Sequence, residues 1–305
     1  MSGYIAVCGG VNIDIGGRSH GHLVPGDSNP GRIHTSLGGV GRNIAHSLAL
    51  LGADVKLLTA LGGDEGAMRI RESCRALGID LAFSLAVPDA ATSAYLYIDG
   101  PDGDMALAVS DMAIYERLTP DWFAGLLPVL NGAELVVLDA NLPAESLAFL
   151  AERCAAPLLA DPVSAAKAPR LGPCLGRLHS LKPNRLEAEV LSGVPIRDSS
   201  GAQAAADALL AAGLRRVYIT LGPEGVLAAE GAERVFLANP PRRPGDASGC
   251  GDAFTAALAW ATQRGADLRT CARAGLAAAA ITMEHDGSVN PGLSAAELRT
   301  RMELI

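Results

Sequence analysis

Glu134-Leu-Val-Val-Leu-Asp139, Pro143–Ala155 and Pro157-Leu-Leu-Ala-Asp161 follow one another almost without a break. The first and third are short apolar runs, each ending on an aspartate. The middle one is rich in Ala and Leu and is long enough for a helix. Strand, helix, strand in that order is a βαβ unit and predicts parallel pairing. The alternation continues in both directions. Ile5–Gly9, Val55–Leu61, Val217–Leu221 and Val226–Glu230 read as further strands. Val40–Leu51, Glu65–Leu77, Ala202–Ala212 and Ala253–Gln263 read as helices. The expected fold class is therefore α/β with a mostly parallel sheet. In such sheets ligands bind outside the carboxyl ends of the strands.

Two regions interrupt the rhythm. Residues 13–37 are rich in Gly, Ser, His and Pro and carry little helical signal. Residues 81–110 read as the short strands Leu81–Val87, Ser93–Asp99 and Met105–Val109, with a turn at Pro101-Asp102-Gly103. Both are expected to project as a small β layer, suited to a lid or a subunit interface. No internal repeat or low-complexity linker divides the 305 residues, so one domain is expected over 1–305.

Hydrophobic residues make up 49% of the chain and charged ones 19%, the balance of a globular protein. A net charge of -8 argues against non-specific binding to nucleic acid or anionic membrane. The six cysteines form no CxxC pair or zinc spacing, which suits a reducing cytosol. His20-Gly-His22 has no ligand cluster around it. The chain enters a strand at Tyr4 with no signal-peptide pattern, and the apolar run near Ala274–Met283 is too short to span a bilayer. A cytoplasmic protein is expected.

Asp246-Ala-Ser-Gly-Cys-Gly-Asp252 runs into the helix Ala253–Gln263. Glycines at a helix start let backbone N–H groups turn towards an anion, and the helix dipole adds to the attraction. Asp252 alone would be an ordinary helix cap. Beside an anion nest it also supplies a carboxylate, and phosphoryl transfer needs that combination of nest and base. The loop is not a Walker A motif, because no G-x-x-x-x-G-K-[ST] occurs in the chain. Leu37-Gly-Gly-Val-Gly-Arg-Asn43 is a tight turn before a helix or a site where a ligand approaches backbone. Asn12-x-Asp14 is an Asx turn or a pair for hydroxyls. Asn184-x-x-Glu187 fits a helix cap. Asp161-Pro-Val-Ser164 ends a strand, where it serves a metal or phosphate or caps the next helix.

These loops together resemble the ribokinase-like (PfkB) carbohydrate and nucleoside kinases, whose usual second signature is D-T-x-G-A-G-D. Here Ala247 stands for the usual Thr and Cys250 for the usual Ala. The resemblance implies a three-layer sandwich with a small β lid. It implies Asp252 as general base, with the N–H groups of Gly249, Cys250 and Gly251 as anion hole. Asn12, Asp14, Gly38, Gly39, Asn43 and Asp111 fall on the substrate side. Asn184, Thr220, Gly222, Gly225, Ser248 and Asn290 fall on the nucleotide side, and Glu187 acts on Mg²⁺ through water. ATP and Mg²⁺ are the implied cofactors, with a monovalent cation such as K⁺ allowed by the family. A homodimer joined through the lid is expected. Asp27–Ile33, Gly38–Ala45, Ser110–Met112, Asp161–Ala165 and His179–Glu189 are similar to the branch that phosphorylates pseudouridine. A neutral nucleoside substrate agrees with the lack of a basic cluster at that end.

Overall fold

The computed structural model describes residues 3–240 and 247–305. Asp246, the first residue of the proposed phosphate loop, lies outside that range. The chain begins with β1 (Ile5–Cys8), β2 (Asn12–Ser19), β3 (Gly31–Gly38), α1 (Val40–Leu50), β4 (Val55–Leu58), β5 (Ala60–Gly62) and α2 (Glu65–Ala76). It continues with β6 (Leu85–Val87), β7 (Ala94–Asp99), β8 (Met105–Asp111), α3 (Pro120–Ala124), α4 (Leu127–Asn131), β9 (Leu135–Asp139), α5 (Ala144–Arg153) and β10 (Leu158–Asp161). The last part carries β11 (Ser180–Leu181), α6 (Arg185–Ser192), α7 (Ser199–Ala211), β12 (Arg216–Thr220), β13 (Val226–Glu230), β14 (Glu233–Leu237), α8 (Cys250–Gln263), α9 (Leu268–Thr282) and α10 (Ala295–Met302).

The main sheet has the order β14-β13-β12-β11-β10-β9-β1-β4. Pairing is parallel from β12 to β4 and antiparallel at β12–β13 and β13–β14. Side chains alternate across a strand, so a strand buried on both faces must be apolar throughout. The Leu135–Asp139 run shows why. Leu135 and Val137 enter one core with Ile44, Leu48 and Leu258, while Val136 and Leu138 enter a second core with Leu147 and Leu150. The sheet is thus sandwiched, with α1, α8 and α9 on one face and α5 and α7 on the other.

β3-β2-β7-β8 form a separate four-stranded sheet, in which β2 pairs antiparallel with β3 and parallel with β7. The expected strand Leu81–Val87 does not join it. Only Leu85–Val87 is extended, and it pairs with β5. Val87 is buried against Leu58 and Ala60, so its apolar side chain holds this strand to the main body. The predicted Val55–Leu61 strand is broken at Thr59 into β4 and β5. No helix among the described residues is long and apolar enough to cross a membrane. None of the six cysteines is in a disulfide.

Helices α8 and α9 touch at Gly275, where a Cβ would come within 2.5 Å of the Phe254 ring. Gly275→Val is expected to lower stability by about 1–3 kcal/mol through overpacking. Urea unfolding of the variant against the parent protein measures this.

Candidate active site

Parallel register carries polar side chains to one edge of the sheet. Asp139 and Asp161 are partners across β9 and β10, and Lys182 follows β11 at the same edge. The Lys182 ammonium lies 3.0 Å from Asp161 Oδ2, both groups being buried. Thr255 Oγ1, from α8, donates to the same Asp161 oxygen at 2.7 Å. The other Asp161 oxygen accepts from the Val163 N–H at 2.9 Å, and Val163 is held at φ 66. Such a conformation in a β-branched residue is strained and marks a segment fixed by its surroundings. Burial alone would depress the Lys182 pKa, but the charges of Asp161, Glu187 and Asp252 outweigh it and raise it.

The start of α8 is seated directly above this pair. Gly249 occupies the cap at φ 73, and a Cβ there would collide with the Ser288 carbonyl. Only glycine satisfies both conditions. A Cβ on Gly251 would lie 3.2 Å from Lys182 Nζ, so the ammonium faces the loop. Among the described residues, the N–H groups of Gly249, Gly251 and Asp252 have no hydrogen-bond partner. The Cys250 N–H differs from the expectation: it donates to the Ala247 carbonyl at 3.2 Å, closing the turn that feeds the helix. Ser248 is exposed on that turn. The nest therefore consists of Gly249, Gly251 and the first-turn N–H of Asp252, with a buried cation behind it.

Asp252 is partly buried in the first turn of α8. Its Oδ2 accepts from Asn43 Nδ2 at 2.9 Å, a contact between residues on α1 and α8. Burial and the Asp161 charge push its pKa up to about 7, while Asn43 and Lys182 oppose the rise. A carboxylate so placed can take a proton from an alcohol near neutral pH.

The first glycine signature meets β1 and β2. Gly39 caps α1 at φ 96, and a Cβ there would lie 2.6 Å from the Gly10 carbonyl and 2.9 Å from Asn12 Oδ1. A Cβ on Gly38 would strike the Asp14 carboxylate. Asn12 and Asp14 begin β2 rather than forming a turn, and Asn12 Nδ2 donates to Asp14 Oδ1. Burial raises the Asp14 pKa to about 6, against the pull of Arg42 and Asn12. Asp111 ends β8, exposed, and accepts from the Ala113 N–H at 3.3 Å. No hydrogen bond among the described residues joins it to Asn12 or Asp14.

On the other side of Asp252 lies a cleft of about 830 Å³. Asn184, Thr220, Gly222, Gly225, Cys250 and Gly251 line it, together with apolar side chains such as Phe254 and Leu276. Asn290 is not part of that lining. Its amide donates to the Ile281 carbonyl at 2.6 Å and so closes the end of α9. Asn184 and Glu187 form a capping box on α6, with both Glu187 oxygens accepting from Asn184 at 2.8 Å. No group of three or more His, Cys, Asp or Glu among the described residues could cage a metal. Asp161, Glu187 and Asp252 around one lysine do leave a local excess of negative charge. That excess suits a Mg²⁺ held mainly by phosphate oxygens and water.

Sequence reading missed Lys182, Thr255, Ser288 and Arg42. The signal for Lys182 was a lysine ending the buried run Ser180-Leu181. The signal for Arg42 was an arginine inside a glycine turn that leads an apolar helix.

A family model described as pfkB family carbohydrate kinase matches residues 2–295. A sugar kinase of Escherichia coli K12, YeiI, described as uncharacterized, is 36% identical over 96% of this chain and 81% of its own length. The pseudouridine kinase of the same strain is 34% identical over 98% of this chain and 96% of its own. The structure of Arabidopsis thaliana ribokinase superposes with a TM-score of 0.89 at 21% identity, covering 99% of each chain. The fold is accordingly ribokinase-like.

The raised pKa of Asp252 has a consequence for stability. Unfolded, the carboxyl titrates near 4; folded, near 7. Between these values the folded state binds more protons, so this group's contribution falls as pH rises through that window. Asp252→Asn should therefore gain stability relative to the parent protein on going from pH 5 to pH 8. Urea midpoints at the two pH values, compared between the proteins, test this; an unchanged difference contradicts it.

Proposed function

The chain belongs to the pfkB family of carbohydrate kinases, and from that membership we propose that it uses ATP to phosphorylate the 5′-hydroxyl of pseudouridine. The kinase chemistry rests on Asp252 beside the α8 nest. The hydroxyl proton passes to an Asp252 oxygen as the hydroxyl oxygen bonds the γ-phosphorus. The bond from that phosphorus to the β,γ-bridging oxygen breaks, and ADP leaves with the electron pair. The Gly249, Gly251 and Asp252 N–H groups and the Lys182 ammonium hold the charge of the moving phosphoryl group. Mg²⁺, when bound with ATP, neutralises phosphate charge, and Glu187 would reach it through water because its oxygens already serve the Asn184 cap. The nucleotide fits the cleft lined by Thr220, Gly222 and Gly225.

The choice of a nucleoside rests on one observation in the small sheet. Register aligns Ser36, Asp14, Tyr95 and Ser110 in one cross-strand row and His34, Gly16 and Tyr97 in the next on the same face. His34 Nε2 and Tyr97 OH are 2.9 Å apart, and the rings meet edge to face. A Cβ on Gly16 would collide with both, so the glycine makes the seat in which they pack. Asp14 thus carries ribose hydroxyls while the aromatic pair, one row out, suits a planar base. Asn12 and Asn43 complete the hydroxyl contacts. A plain sugar is the rival substrate, favoured by the likeness to YeiI; it has no planar base to set against the aromatic pair.

We assign the outer face of the same sheet to a homodimer contact. Ile33, Leu96, Leu107 and Val109 are exposed there, at 79%, 39%, 57% and 60%. An apolar sheet face of that kind is rare on a monomer. A cytoplasmic location agrees with the free cysteines.

An assay with ATP over pseudouridine, uridine, inosine, adenosine and ribose should show pseudouridine as the best acceptor. Equal or better turnover of ribose or uridine removes the pseudouridine reading. Asp252→Asn should lower kcat by roughly 10²–10⁴-fold and leave ATP binding nearly unchanged; activity within a few-fold of the parent enzyme rejects it as base. Light scattering should give a dimer that Val109→Lys converts to monomer, and a monomeric parent protein at micromolar concentration would reject the contact.

A further inference from the structure

Arg42 is 6% exposed, and no carboxylate pairs with it directly among the described residues. Its Nη1 donates to the Leu37 carbonyl at 3.0 Å and to Asn43 Oδ1 at 3.3 Å, and its Nη2 to Ser73 Oγ at 3.2 Å. The guanidinium therefore ties β3, α1 and α2 together and turns one edge onto the Asn43 amide. Burial lowers its pKa, and Cys74 and Asp14 act against that. Both Nη groups are thus engaged by the protein, while the buried Nε–H has no hydrogen-bond partner among the described residues.

We infer that Arg42 is a positioning residue, which fixes the Asn43 amide so that Nδ2 and not Oδ1 faces the Asp252 carboxylate. This rests on the reading of Asp252 as the base. A guanidinium only donates, so the amide atom facing Arg42 must be the oxygen. An ionised carboxylate only accepts, so the amide atom facing Asp252 must be the nitrogen. The observed contacts satisfy both at once. Ser288 Oγ, 3.4 Å from Asn43 Oδ1, tolerates either orientation because a hydroxyl donates or accepts.

A flipped amide would set nitrogen against the Arg42 donors and oxygen against Asp252. The second contact is favourable only when Asp252 carries a proton. Arg42 thus excludes the amide orientation that would stabilise the protonated, inactive base. It does this from outside the reacting centre and touches neither Asp252 nor the nest. The other charges facing Asp252 come from β10 (Asp161), β9 (Asp139) and the residue after β11 (Lys182). The charge facing Arg42 is Asp14 on β2; the Cys74 thiol on α2 also faces it, its pKa raised by burial, and His46 on its own helix has its pKa lowered by burial and by Arg42.

Three variants separate this from a through-space charge effect: Arg42→Gln, Arg42→Met and Arg42→Lys. Gln keeps a donor without the charge, Met keeps neither, and Lys keeps both. The readouts are the ¹³C titration of the Asp252 carboxyl and the acidic limb of kcat/KM with the best acceptor. Arg42→Met should move the Asp252 midpoint up by roughly half to one pH unit, the worth of one hydrogen bond to a charged system. Arg42→Gln and Arg42→Lys should stay close to the parent enzyme. The inference is overturned if Gln shifts as Met does while Lys does not, or if nothing shifts. Should Arg42→Met fail to fold, Arg42→Ala, which also lacks a donor and needs less room, takes its place: a raised midpoint with Gln and Lys at the parent value supports the inference, and an unmoved midpoint or Gln displaced with Lys restored overturns it. The carboxyl titration needs no turnover. A parent enzyme inactive on every acceptor therefore condemns the kinase reading, and the titration still judges Arg42.

Discussion

The buried pair of Lys182 and Asp161 is the constraint round which the cleft is arranged. Taking two charges out of water is costly, and their attraction repays it only where further partners complete the site. Here Thr255 comes from α8, the Val163 N–H from a strained turn, and Glu187 stands nearby on a capped helix. Each partner lies on a different element. Satisfying the pair therefore fixes the height of α8 above the sheet edge, and with it the position of the nest and of Asp252.

The same charges set the chemistry. Asp139 and Asp161 end neighbouring strands and face Asp252 at the start of α8, and burial together with their charge holds Asp252 well above an ordinary carboxylate. Lys182 and Asn43 pull in the opposite direction. The balance leaves Asp252 titrating near neutrality, as the proposed base requires. A fully unopposed Asp252 would stay protonated, and one in free water would be too weak a base to help.

The two glycine signatures solve one problem from opposite ends of the chain. Gly39 lets α1 start against the β1–β2 backbone, and Gly249 lets α8 start against Ser288. Two helix N-termini thereby meet, and Asn43 spans the gap to Asp252. Arg42 and Ser288 hold the amide between them. The small sheet carries a polar, aromatic face and an apolar face, as period-two alternation requires.

The α/β class, the parallel sheet, the glycine turns and the place of Asp252 at the start of a helix were legible in the sequence because they depend on local pattern. Apolar runs ending in aspartate can only be buried strands with a polar edge, and a glycine-aspartate loop before a helix carries its own geometry. Lys182 and Arg42 were not legible, because a lone cation has no pattern and its meaning is its partner. Val87 was assigned to the lid for the same reason: an isolated strand signal does not say which sheet will bury it. The spent N–H of Cys250 and the cap that occupies both oxygens of Glu187 also depend on how the turns close. The sequence alone thus determined the family and its fold. Only the tertiary structure decided which charges face one another, since burial and long-range contact set those energies and neither is written in any one segment.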